Sequence, residues 1–148
     1  MNHIHSAVKG KRSELLMMAI LLENGFNVFQ PLADVDGVDC GIFGENDSFY
    51  PIQVKSRAEF TQGDIVAVRR FRKNMFIIIY DEISKEYWII PADDYRNMAN
   101  KWLSKEGVEY YRLTKRKKNA EQLQKYQGQN GIEKLRGFIS SSQSTNRA

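Results

Sequence analysis

The order of elements legible in this chain predicts an α/β (α+β) domain with a central mixed β-sheet flanked by helices. Three observations carry that expectation. An apolar helical run near the N-terminus is followed by three short β-type runs, the last two spaced as a hairpin. Two β-branched and aromatic runs come next, Met75 to Tyr80 and Tyr87 to Ile90. Helical segments then follow, and strands interleaved with helices bury their apolar faces by packing the helices on a sheet.

Each element can be justified in turn. Residues 8–24 read as a helix in which Leu15 to Leu22 is apolar almost all round, which predicts burial over much of its circumference. Asn24-Gly25 ends it, because glycine supplies the left-handed conformation a helix end often needs. Phe26 to Gln30 reads as a strand closed by Pro31, and Val38 to Phe43 as a second strand. Gly44 to Ser48 has turn composition, and Phe49 to Ser56 is the hairpin partner. Pro51 cannot donate to a ladder, so it belongs near that strand's start or at an unpaired position.

Asp64 to Lys73 reads as a short basic helix, with Val66 and Val68 arguing against it. Asp81 to Glu86 is the polar turn between the two strongest strands. Pro91 opens a helix predicted over Ala92 to Lys105, with Asp93 and Asp94 at the positive end of its dipole. Val108 to Leu113 reads as a further strand, followed by polar helices near 117–126 and 131–139. Residues 1–139 are expected to form one domain. The tail 140–148 carries no apolar payload and predicts disorder.

Composition narrows the function classes. At 148 residues the chain can bury a core without disulfides or metal staples. With 42% hydrophobic and 11% aromatic residues it is not a disordered chain. A net charge of +4, from 22 basic against 18 acidic side chains, is modest, so placement decides its meaning. Cys40 is the sole cysteine, which excludes an internal disulfide and suits a reducing cytoplasm. The N-terminus lacks a basic region leading into an apolar signal core. The longest apolar run, Leu15 to Leu22, is far short of the roughly 20 residues of a membrane span. No Gly-rich phosphate loop or dinucleotide fingerprint is present, so no nucleotide or organic cofactor is expected.

The chemistry-bearing residues lie between 10 and 57. In Phe49 to Ser56 side chains alternate, so Ile52 and Val54 share a core face. Gln53 and Lys55 share the other, about 7 Å apart along the chain. Asp39 opens the preceding strand and can converge on them. Glu14 lies on the stripe of Met17, Met18 and Leu21 along the first helix, where an unpaired charge is costly. It needs Lys55, a metal or solvent. Asp34, Asp36 and Asp39 all sit in turn-like sequence; Asp39 is favoured because apolar strand residues follow it at once.

Taken together, Gly10-Lys-Arg-Ser-Glu14, Asp36-Gly-Val-Asp39 and Gln53-Val-Lys55 resemble the active site of PD-(D/E)XK nucleases. Within that superfamily the chain is most similar to archaeal Holliday-junction resolvases and small endonuclease-like proteins, over about residues 8 to 91. The resemblance implies a restriction-endonuclease-like core and Mg²⁺- or Mn²⁺-dependent hydrolysis of DNA, branched or junction DNA included, leaving a 5′-phosphate and a 3′-hydroxyl. It implies Glu14, Asp39, Gln53 and the Val54 backbone carbonyl as metal ligands, Lys55 as the catalytic cation, and a homodimer as a form the protein can take. Gln53 departs from the usual Asp or Glu: its carbonyl oxygen can ligate but carries no charge, which weakens the attraction for a divalent cation.

Each residue also has a plainer reading. Asp39 can end a turn, Glu14 can complement the helix dipole, and Q-x-K on a strand is common. Lys9, Lys11, Arg12, Arg57, Arg69, Arg70, Arg72 and Lys73 form the expected nucleic-acid contacts, since phosphate binding needs such cations. The second run, Lys115 to Lys118, is as readily a solvated face. His3, His5 and Cys40 make a poor zinc set. Trp88 and Trp102 read as packing residues. Two other classes stay open: a catalytically silent nucleic-acid-binding module on the same fold, and a protein-interaction or assembly domain.

Overall fold

A computed structural model describes residues 5–33 and 35–145, with 46 and 142–145 described by backbone alone. Helix α1 (Ser6–Glu23) leads into β1 (Asn27–Phe29), β2 (Cys40–Phe43) and β3 (Phe49–Arg57). Next come β4 (Ile65–Val68), β5 (Phe76–Asp81), β6 (Tyr87–Pro91) and α2 (Ala92–Met98). The chain finishes with β7 (Asn100–Leu103), β8 (Glu109–Thr114), α3 (Ala120–Gln124) and α4 (Gln129–Thr145).

Among the described residues the strands form two sheets. The larger has the order β1-β2-β3-β5-β6, antiparallel throughout except for the parallel pair β3–β5. The smaller is antiparallel, in the order β4-β8-β7. The larger sheet is covered on both faces. Ile52, Val54, Phe76 and Ile78 pack against Met17 and Leu21 of α1 and Ile132 and Leu135 of α4. Ile77, Ile79, Trp88 and Ile90 pack instead against Tyr95 of α2, Leu123 of α3, and Val66, Val68 and Leu113 of the small sheet. The expected central mixed sheet flanked by helices is what forms.

Local chemistry explains most boundaries. Asn24 caps α1, and Gly25 follows at φ +85°. Pro51 stands opposite Gly41, one residue before the parallel pairing starts at Ile52, so its missing N–H costs no bond on that side. The buried Asp81 carboxylate closes the β5–β6 turn by accepting from the amides of Phe60, Ile83 and Ser84.

The structure corrects four expectations. Residues 65–68 are a strand: Ile65, Val66 and Val68 are β-branched, and Val66 and Val68 bury a sheet face that a helix would splay apart. The helix after Pro91 stops at Met98, because Ala99 turns to extended backbone and Asn100–Leu103 pairs with β8. Helix α1 buries only one stripe, Ser13, Met17 and Leu21; Val8, Leu15 and Leu22 are exposed because a single sheet covers it. Helix α4 runs past Ser140 to Thr145, where the tail predicts disorder; residues 146–148 lie outside the described residues. No described helix is long and apolar enough to cross a membrane.

Gly131 of α4 lies close against Ile89 of β6 and the Tyr126 backbone. A Cβ there would collide with the Tyr126 carbonyl oxygen and lie 3.1 Å from Ile89 Cβ. The first obstacle is backbone and cannot swing aside. Gly131→Ala is therefore expected to destabilise the protein by about 1–3 kcal/mol, read as a lower urea midpoint with an unchanged slope; an unshifted midpoint would show that α4 has room to move.

Candidate active site

The site forms where β2 begins. Strand pairing between β2 and β3 starts at Cys40 and Ile52, so beyond Ile52 the β2-facing flank of β3 has no strand partner. A buried backbone N–H left there must be satisfied by something else. Asp39 does this: the Val54 amide donates to its Oδ2 at 2.7 Å, while the Asp39 amide donates to the Ile52 carbonyl at 2.9 Å. A strand residue directs its N–H and C=O to the same flank. The Val54 carbonyl is therefore on the side of Asp39.

Glu14 reaches this point from α1. Its carboxyl lies against that of Asp39, near enough for the two to share a hydrogen bond when one is protonated. Burial, followed by the Glu14 charge, pushes the Asp39 carboxyl up to about 6, against the lowering effect of the Val54 amide. Lys11 pairs with Glu14 at 2.9 Å one turn earlier on the helix. A cleft of about 510 Å³ opens beside the two acids, lined by Lys11, Glu14, Asp39 and the 30–33 stretch of the β1–β2 loop. Gln53 and Lys55 do not line it; they lie on the opposite face of the sheet, where Lys55 still feels the Asp39 charge.

Gln53 stands out chemically. Its Oε1 is buried and has no hydrogen-bond partner among the described residues. A buried acceptor without a donor is costly, and a cation is one group that would satisfy it. Lys55 is held in the same neighbourhood. Burial lowers its pKa, and the Asp39 charge acts against that shift. No described carboxylate pairs with its ammonium. Cys40, next to Asp39, points into the core, where burial pushes its thiol up to about 12.

Among the described residues no three His, Cys, Asp or Glu side chains converge. The site thus holds two carboxylates, one orphaned amide oxygen and main-chain oxygens. Hard oxygen donors with room for water fit Mg²⁺ or Mn²⁺, and the raised Asp39 and unpartnered Gln53 are both groups that a cation would relieve. His5 instead caps α1, and His3 lies outside the described residues.

The remaining expected residues divide. Asp36 is exposed and bound by Arg69 at 3.1 Å and Arg70 at 3.3 Å, while Arg72 donates to its carbonyl at 2.9 Å. It is occupied by these arginines; Asp34 lies outside the described residues. Arg12 pairs with Glu82 at 3.3 Å. Arg57 braces β3 against β4 through the Ser56 and Ile65 carbonyls. Lys9 and Lys73 are exposed. Lys115 turns inward, donating to the Phe60 carbonyl at 2.6 Å, whereas Arg116, Lys117 and Lys118 are exposed. Trp88 is packed as expected, but Trp102 is 43% exposed. Residues 100–103, read from the sequence as part of the 92–105 helix, form instead the strand that carries Trp102.

No known family model matches the chain, and no curated protein matches its sequence. Among solved structures, a bacterial homing endonuclease, I-Ssp6803I, is similar over 98% of this chain and 100% of its own. The TM-score is 0.62 at 18% identity, a likeness of fold.

Asp39 yields a pH prediction. Its folded-state pKa is raised, so between about 4 and about 6 the unfolded chain loses this proton while the native state keeps it. Native stability from this group therefore falls as pH rises through that window and is level above it. In EDTA, the melting temperature of Asp39→Asn relative to the native protein is expected to rise from pH 4 to 6. A difference that is flat with pH would show that the acid pair carries no such penalty.

Proposed function

We propose that this chain is a divalent-metal-dependent DNA endonuclease of the PD-(D/E)XK type. The observation that carries the reading is the meeting of Glu14 and Asp39, from elements far apart in sequence, at the Val54 amide of the strand that also bears the orphaned Gln53 oxygen and Lys55. The likeness of fold to a homing endonuclease supports it.

Glu14, Asp39, Gln53 Oε1 and the Val54 carbonyl would hold Mg²⁺ or Mn²⁺. Such an ion supplies Lewis acidity toward a phosphate oxygen and makes water a stronger acid. The Val54 amide fixes the Asp39 carboxylate in place before substrate arrives. No described carboxylate forms an ion pair with Lys55, so its ammonium can face a phosphate and offset charge building in the transition state. The neutral Gln53 favours one other reading, a module that binds DNA without cutting it, because one unit of charge is missing from the ligand set.

Two experiments separate these. With duplex and junction DNA plus Mg²⁺ or Mn²⁺, cleavage is expected, reduced by about 10² or more in Asp39→Ala and Lys55→Ala. Binding without cleavage would leave the silent module standing, and cleavage unaffected by either substitution would reject the site. Gln53→Glu puts a carboxylate where the buried amide oxygen stands: in EDTA its melting temperature should fall, and Mn²⁺ should raise it further than it raises the native protein. A cation that shifts neither protein would overturn the metal assignment.

A further inference from the structure

The outer face of the small sheet plays no part in the reading so far. Strand register sets Trp102 opposite Tyr110, and Arg112 between Asn100 and Ala67. Side chains alternate, so Asn100, Trp102, Tyr110 and Arg112 share a face with Ile65 and Ala67. The opposite face carries Val66, Val68 and Leu113, all in the core. The first set therefore looks outward.

That face is organised. The Arg112 guanidinium lies 4.6 Å over the Trp102 ring, and the Tyr110 ring sits 5.6 Å from the same ring. Arg69 stands at the end of β4 beside Tyr110, its guanidinium bonded to both oxygens of Asp36 at 3.1 Å. No carboxylate occupies a position of β4, β7 or β8 on this face. The exposed Arg116, Lys117 and Lys118 follow directly after β8. Through Arg69 and Asp36 the face borders the loop that carries Asp39.

We propose that the β7–β8 ribbon, with Arg69 beside it, is a sequence-reading surface for duplex DNA that sits in the major groove. It rests on the endonuclease reading for its partner. An antiparallel two-stranded ribbon is an element the major groove admits. An arginine fork matches the paired acceptors on a guanine edge, which lysine cannot do, and Arg112 is placed in advance over Trp102. The cations after β8 suit the flanking phosphates, which set register without reading sequence. Single strands are bound by open aromatic faces, but Trp102 already has Arg112 and Tyr110 against its ring.

The test uses the full chain in EDTA and a pool of duplexes with a randomised central segment. The native protein should enrich one motif. Arg112→Lys and Trp102→Ala should bind that motif roughly ten- to a hundredfold more weakly. Arg112→Lys should keep its affinity for a scrambled duplex. Asn100→Glu, which adds a carboxylate at an exposed position of the face, should weaken both, with melting temperatures reporting that each variant folds. Unchanged affinities in folded variants would overturn the proposal, as would an enriched motif that never appears or a preference for single-stranded DNA or RNA. The binding readout needs no cleavage. Ribbon variants that lose the motif in a protein that cuts nothing sink only the endonuclease reading, and intact cleavage with indifferent ribbon variants sinks only this one.

Discussion

Strand β5 imposes the constraint that organises this protein. Ile77, Ile78 and Ile79 are each completely buried, although neighbouring side chains on a strand point to opposite faces. Both faces of the central sheet must therefore be covered. Helices α1 and α4 cover one, and the small sheet with α2 and α3 covers the other. Because β3 runs parallel to β5 in fixed register, Gln53 and Lys55 are committed to the second face and Ile52 and Val54 to the first. A one-residue slip would exchange the two pairs and bury the lysine under α1.

The acid pair solves a problem created by that arrangement. Glu14 belongs to a helix on one side of the sheet and Lys55 to the other side, so they can meet only where the sheet is open. The opening lies ahead of Cys40, where β2 has not begun and the β2-facing flank of β3 has no strand beside it. Asp39 fills it and is both a substitute strand partner for the Val54 amide and a charge set against Glu14. Like charges held together at a cost are a common mark of sites tuned for chemistry, although networks that serve structure also shift pKa values.

Much of this was legible in the sequence because the signals were local. Apolar continuity in 15–22, the Asn24-Gly25 stop, the turn at 44–48 and the β-branched runs around 76–90 each decide their own conformation. Gln53 and Lys55 sharing a face followed from alternation alone. The convergence of Glu14 on Asp39 was suggested only by resemblance, since no spacing rule brings residues 14 and 39 together. The misread segments were those decided by distant partners. Residues 65–68 and 100–103 are strands because each pairs with β8, and a basic or mixed composition hides that. The exposed side of α1 could not be foreseen either, because an apolar helix does not reveal how many neighbours it will have.

The Asp36 knot and the Asp81 cradle hold their loops by different physics. Asp81 is fastened by backbone amides inside the protein, beyond the reach of dissolved ions. Asp36 is fastened by arginines whose side chains are about half exposed, so its grip is screened within roughly 8 Å at physiological ionic strength. The stretch leading to Asp39 is consequently moored by electrolyte-sensitive ties. Any polyanion that draws off Arg69 and Arg70 slackens the mooring at the moment it arrives.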